Sequence, residues 1–188
     1  MRHCLGYLEA LILAGRLNAA GLMTISIRPA SPSDCALVFA LVGELAEYER
    51  LAHEVDATEA LMAAALFGPQ PRVFCDIAEW TEPGSLPRAE GFALWFYSFS
   101  TFRGRHGIYL EDIFVRPAAR GRGLGRALLV HLAQRCVAEG LARFEWSVLD
   151  WNAPSIAFYK TQGAELMQEW TRCRISGVAL AALAGKGA

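Results

Sequence analysis

The sequence predicts an α/β fold of the mixed, α+β kind: one domain on a central, mostly antiparallel twisted sheet flanked by helices, with one β-α-β crossover. Three observations carry this. Alternating runs and runs of helical period interleave along the 188 residues. Polar, turn-rich segments join several of the alternating runs, as antiparallel neighbours require. One full helical run, Leu124 to Gly140, lies between two strand-like runs, which is how a parallel crossover reads. Hydrophobic residues make up 54% of the chain, enough for a packed core without metal or disulfide.

"TISIRPA" (24–30) alternates and ends at proline, so it reads as the first strand. The segment 31–50 opens with serine caps and repeats Leu37, Leu41, Leu45 and Tyr48 at helical spacing, flanked by Val38 and Val42. A second short helix runs through "TEALMAAALFG" and stops at Gly68. "RVFCDIAEW", "FALWFYSFSTF" and "IYLEDIFV" read as three strands, with a turn-rich link before the second and "RGRHG" after it. "LGRALLVHLAQRCVAEG" places Leu124, Leu128, Leu132 and Cys136 on one face and ends at Gly140. "ARFEWSVL" is the next strand. "NAPSIAFYKTQG" is a short helix with Asn152 as cap, Pro154 in its first turn and Gly163 as its stop. "AELMQEW" and "TRCRISG" read as a closing hairpin, with a small helical tail beyond. The expected order is β-α-α-β-β-β-α-β-α-β-β.

Five scattered cysteines without a C-x-x-C pair fit reduced, mostly buried thiols in a cytoplasmic protein, with neither a disulfide framework nor a metal site. Residues 1–22 contain no unbroken apolar run long enough for a signal peptide or a membrane span, because Glu9 and Arg16 interrupt it. They read as an extension outside the core, and residues 23–188 as the domain. Net charge is -1, which gives no global attraction to nucleic acid or to an anionic membrane. Charge is uneven, however. Arg103, Arg105, Arg116, Arg120, Arg122 and Arg126 crowd one stretch against only Glu111 and Asp112, as a small anion site would require.

That stretch contains "RGRGLG", between a strand and a helix. A helix N-terminus carries unpaired N–H groups and a partial positive charge. Glycines let a phosphate approach those groups without meeting a Cβ. A P-loop would need Lys-Ser or Lys-Thr, and none is present. A dinucleotide fingerprint would need glycine at 126 or at 128, where Arg126 and Leu128 stand.

The remaining spacing, Arg120-x-x-Gly123-x-Gly125, resembles the pyrophosphate loop of the GNAT superfamily of acetyl-CoA-dependent N-acetyltransferases. The resemblance runs from about Ile25 to Ala182 through "IRPA", "ELAEYE", "YLEDIFV", "RGRGLG" and "WNAPSIAFYKTQGA", in that order. "YLED" with "ELAEYE" is similar to the diamine/polyamine (spermidine/spermine) branch. The resemblance implies a GNAT-like domain, acetyl-CoA as cofactor, a primary amine of a small diamine, polyamine or aminoalkyl amino acid as substrate by direct attack, and a homodimer. It implies that Arg120, Gly121, Arg122, Gly123, Leu124, Gly125 and Arg126 hold the pyrophosphate. The strand edge through Ile113, Phe114 and Val115 would pair with the pantetheine arm and polarise the thioester carbonyl. Asn152 would help hold the cofactor.

Amine attack on a thioester needs a base for an amine of pKa near ~10, a donor for the carbonyl oxygen, and a proton for a thiolate of pKa near ~8.5. The resemblance assigns the last task to Tyr159, which otherwise reads as a core tyrosine beside Phe158, and favours Glu111 as the base acting through water. Asp112 would hold the cationic amine, or be a solvated edge residue. In a regular strand Glu111 and Asp112 face opposite sides, unless a bulge intervenes as it does in the family. Tyr48, Glu49 and Glu54 border the amine pocket in the polyamine branch, and otherwise form a solvated helix end. Trp151 and Trp170 are read as core residues in preference to pocket lining. Two other readings remain: a protein or peptide N-acetyltransferase, and a non-catalytic acyl-CoA-binding module.

Overall fold

A computed structural model describes residues 23–185. Their contacts separate into two compact units that meet between Ser147 and Val148.

The first unit holds the sheet. Its strands are β1 (Thr24–Pro29), β2 (Phe74–Thr81), β3 (Arg88–Ser100), β4 (Arg105–Val115) and β5 (Phe144–Trp146), in the spatial order β1-β2-β3-β4-β5. β1 to β4 form an antiparallel meander, and β5 lies parallel to β4. That parallel pair is joined by α3 (Leu124–Ala138), the crossover the sequence calls for. The expected "mostly antiparallel sheet with one crossover" is the observed topology.

Helices cover both faces. α1 (Cys35–Glu49) and α2 (Glu59–Phe67) pack on one face, where Val38, Leu41, Leu45 and Leu66 meet Cys75, Ile77, Phe92, Leu94 and Phe114. α3 packs on the other and buries Leu124, Leu128, Leu132 and Cys136, the four positions its period selects. Each fully buried leucine contributes about 1.5–3 kcal/mol. α1 ends where Arg50 turns left-handed at φ 62°, its N–H bonding back to the Ala46 and Glu47 carbonyls. This places Glu49 on the last turn. The start of α1 is fixed by a tight ion pair. Arg28 donates from both terminal nitrogens to Asp34, at 2.8 and 2.9 Å, and from Nε to Glu79 at 2.7 Å. The guanidinium holds the Asp34 carboxyl well below the usual carboxylate range.

The second unit contains α4 (Ala153–Thr161) and α5 (Gly177–Gly185). Asn152 caps α4, accepting from the Ser155 N–H at 3.3 Å. The expected closing hairpin is a correction: residues 164–176 contain no strand. "AELMQEW" alternates, but Trp170-Thr171 carries none of the Gly, Asn, Asp or Pro chemistry that reverses a strand. Leu166, Met167, Trp170 and Ile175 are exposed there. β5 is also much shorter than "ARFEWSVL" suggests. Cys35, Cys75 and Cys136 are buried free thiols and Cys173 is exposed. The expected extension 1–22 lies outside the described residues.

Candidate active site

β4 carries most of the site, and a bulge decides what it presents. Leu94 lies opposite Asp112, while the next β3 residue, Trp95, lies opposite Leu110. Glu111 is therefore the extra residue of a β-bulge. Leu94 belongs to the core under α1, whereas Trp95 faces α3, where Arg135 stacks 5.0 Å from its ring. Asp112 consequently faces the α1 side, although Leu110, two residues earlier, faces α3. Without the bulge Asp112 would point under α3.

On the α1 side Asp112 meets like charge. Burial pushes its carboxyl up to about 6, and the neighbouring Glu111 and Glu49 carboxylates add to the shift. Burial also raises Glu49, at the end of α1. Glu111 itself is exposed. Tyr48 packs 6.5 Å from Phe114, two residues beyond Asp112 on the same face. The structure thus brings Tyr48, Glu49, Glu111 and Asp112 to one region. Glu54 stands apart, in an exposed 3-10 turn (Ala52–Glu54), with His53 Nε2 3.5 Å from its carboxylate.

Beyond Leu110 the edges of β4 differ. β3 continues to pair with Asp112, Ile113, Phe114 and Val115. β5 pairs only with Ile108, Tyr109 and Leu110. The backbone of residues 111–115 therefore has no ladder partner on its β5 side within this unit. An extended amide chain could pair there.

The glycine loop follows. Gly121 has φ 76°, and Gly123, the N-cap of α3, has φ 94°. An L side chain is strained at both angles. Leu124 is buried and anchors the helix, with Gly125 and Arg126 in its first turn. No side chain caps this end, so the first N–H groups of α3 lack an intrahelical or side-chain acceptor. The arginines do not converge. Arg116 is spent on Glu44, with contacts of 2.7 to 3.1 Å. Arg103 and Arg105 lie at the β3–β4 turn, roughly 33 Å from the loop along an eleven-residue strand. The expectation that one anion accounts for all six is corrected: Arg103, Arg105 and Arg116 lie elsewhere or are paired, and of the three arginines in the loop Arg120 has its guanidinium on Tyr48.

In the second unit, Tyr159 is 8% exposed on α4, with its ring 5.4 Å from Phe158. Asn152 is likewise buried and caps the same helix.

Comparison with known proteins decides the family. Residues 44–164 match the family model described as Acetyltransferase (GNAT) family. The chain belongs to the GNAT acetyltransferases. It is 37% identical over 169 residues to the thialysine N-epsilon-acetyltransferase of Sus scrofa, covering 87% of this chain and 99% of that one. It is 32% identical over 197 residues to an L-ornithine N5-acetyltransferase of Arabidopsis thaliana, covering 84% and 86%. Among solved structures, an integron cassette protein from the mobile metagenome of V. cholerae matches with TM-score 0.69 at 27% identity, over 85% of this chain and 97% of that one.

This N-acetyltransferase departs from its sequence reading in two further respects. Trp151 and Trp170, read as core residues, are 53% and 72% exposed. Large apolar residues outside a periodic run give no sign of which face they take. The side chain of Arg120 also turns away from the loop. Its Nε donates to the Val115 carbonyl at 3.0 Å, and its guanidinium lies 4.4 Å from the Tyr48 ring and 5.7 Å from that of Phe114. Nothing in the local spacing signals this, because Tyr48 is remote in sequence.

Proposed function

We propose that this enzyme transfers an acetyl group from acetyl-CoA to a terminal amine of a small diamine, polyamine or aminoalkyl amino acid. The observation that carries this reading is the cluster of Glu49, Glu111 and Asp112. Burial and mutual repulsion raise Asp112 to about 6. Three carboxylates held together by a fold are unfavourable alone and favourable around a cation. The relatives named for thialysine and ornithine act on amino acids with a terminal amine, which supports the same class. Arg120 over Tyr48, the residue before Glu49, offers a cation to a substrate that carries a carboxylate as well as amines.

The residues fit the cofactor. Left-handed glycines at 121 and 123, the uncapped start of α3 and the open edge of β4 supply what a pyrophosphate and an amide-bearing arm need. Bound acetyl-CoA supplies the activated thioester carbonyl. The backbone of Arg120, Gly121, Arg122, Gly123, Leu124, Gly125 and Arg126 holds the phosphates, with the Arg122 and Arg126 side chains adding charge, and Ile113, Phe114 and Val115 offer backbone to the arm. The Ile113 N–H stabilises the charge that develops on the carbonyl oxygen. Asp112 and Glu49 hold the ammonium, Glu111 takes the amine's proton through water, and Tyr159 returns one to the thiolate. Asn152 orients the Tyr159 helix. A homodimer in the cytoplasm completes the proposal, with Phe99 and Phe102, 52% and 95% exposed at the β3–β4 turn, as apolar surface for the contact.

The test is a competition among amines of matched length with acetyl-CoA. Charges ~4 Å apart interact by about 4 kcal/mol at an effective dielectric near 20. A quarter of that is roughly a fivefold preference. Diamines or aminoalkyl amino acids are expected to exceed the monoamine by at least that factor. Equal use of the monoamine, or reaction with peptides alone, rejects the substrate class.

A further inference from the structure

The glycine loop rests on one rung of the sheet. Ile25 of β1 and Trp80 of β2 are cross-strand partners. A Cβ on Gly123 would lie 3.6 Å from Ile25 Cδ1, so that side chain sits directly against the loop. The Arg122 guanidinium carbon lies 5.0 Å from the centre of the Trp80 ring. Its Nη1 is 4.0 Å from Glu82 Oε1, just beyond the end of the same strand.

Trp80 is an expensive residue for this position. It is 7% exposed, and its indole Nε1 is buried without a hydrogen-bond partner among the described residues. An orphaned N–H of this kind destabilises a fold. Phenylalanine would offer an apolar ring with no such N–H. Indole offers the better seat for a cation, because its π face carries the largest negative potential. A tryptophan with a stranded N–H and a guanidinium on its face fits selection for the cation and not for packing.

We propose that Trp80 is a positioning residue for the cofactor: it seats the Arg122 guanidinium so that the charge meets the pyrophosphate. Exposed arginine side chains sample many rotamers, and fixing one before the ligand arrives removes that ordering cost from binding. Glu82 adds a second, longer contact to the same guanidinium. The inference rests on the assignment of the glycine loop to the pyrophosphate. It adds a residue that the loop motif does not contain, contributed by a strand more than forty positions upstream.

A double-mutant cycle on the full chain tests it, with CoA affinity by calorimetry and steady-state kinetics for both substrates. Trp80→Leu is expected to weaken CoA binding roughly 3- to 10-fold. The kcat at saturating acetyl-CoA and the KM for the amine should stay within about twofold of the parent. Trp80→Phe should restore most of the affinity and melt no lower than the parent. Arg122→Gln should weaken CoA by more than Trp80→Leu does, and Trp80→Leu should add nothing in that background. If Arg122→Gln weakens CoA while Trp80→Leu leaves it unchanged, the positioning role fails and the loop assignment stands. If Arg122→Gln itself has no effect, Arg122 is not a phosphate contact and both fail. An equal loss from Trp80→Leu with and without Arg122 means Trp80 acts through the fold, which also overturns the proposal. Should Trp80→Leu not fold, the cycle with Trp80→Phe decides: its expected rise of about twofold in the Kd for CoA must vanish in Arg122→Gln.

Discussion

Asp112 shows how one residue can be tuned against the stability of the protein that carries it. Its ordinary carboxyl value of 3.8 becomes about 6 through burial and the Glu111 and Glu49 charges. A raised carboxyl favours the protonated folded form. Its stabilising contribution is complete below pH ~4 and is lost as pH climbs through about 6. Asp112→Asn should therefore raise thermal stability at pH 8, by about 1–3 kcal/mol, and give little at pH 4.5. The same variant should raise the KM for the amine at least tenfold if Asp112 holds the ammonium. Melts at the two pH values, with amine kinetics at pH 8, check both halves; a variant destabilised at pH 8 counts against the account. Tyr159 poses the opposite case, a residue whose packing and chemistry are separable. Tyr159→Phe should keep the fold and lower kcat by about 10- to 1000-fold if its hydroxyl protonates the thiolate. Unchanged kcat would leave it a packing residue. Both residues were legible as candidates from their motifs. Which way Asp112 faces was not, because a bulge is a mismatch between two strands and neither strand alone records it.

Among the elements, the helices were the most legible and the strand ends the least. α3 buries Leu124, Leu128, Leu132 and Cys136 as its period predicts, since a 3.6-residue repeat over fifteen residues leaves little freedom. β5 and the 164–176 segment were overread because alternation marks a chain that can be a strand, while a partner edge decides whether it is one. The glycines of the loop before α3 were read as room for a phosphate; their left-handed backbone adds a second requirement, and with it a ranking. Gly123 sits at φ 94° with Ile25 Cδ1 the nearest obstacle, at an ordinary contact distance. Backbone strain, and not a clash, is what a side chain would introduce there. Asn, which tolerates left-handed backbone, should be milder than Val. Gly123→Val is expected to raise the KM for acetyl-CoA at least tenfold and leave that for the amine within twofold. Equal effects on both would show a general collapse of the fold.

For the whole molecule, net charge was a poor guide and its distribution a better one. A formal charge of -1 hides a basic loop at one end of β4 and an acidic cluster midway along it. Under the proposed function these separate the two ligands by sign, with phosphates at the loop and ammonium at the bulge. Salt should therefore raise both KM values, through independent sites. Sequence spacing marked the basic loop and the Glu111-Asp112 pair because each lies within one short motif. It could not find what other strands and helices bring to them, such as Trp80 against Arg122 or Tyr48 under Arg120. Nor did it show that chain contacts divide at Ser147. No helix among the described residues is long and apolar enough to cross a membrane.

The single extra residue at 111 makes β4 two modules spliced out of phase. Upstream of the splice, Ile108 and Leu110 answer to α3; downstream, Asp112 and Phe114 answer to α1. A change confined to the upstream half, including an exchange of the β3–β4 turn, leaves the phase of the downstream half untouched. The chemistry is insulated from drift in the turn. The splice itself has no such latitude: losing one residue there would exchange the α1-facing and α3-facing surfaces of everything up to the glycine loop, without altering a single side chain in it.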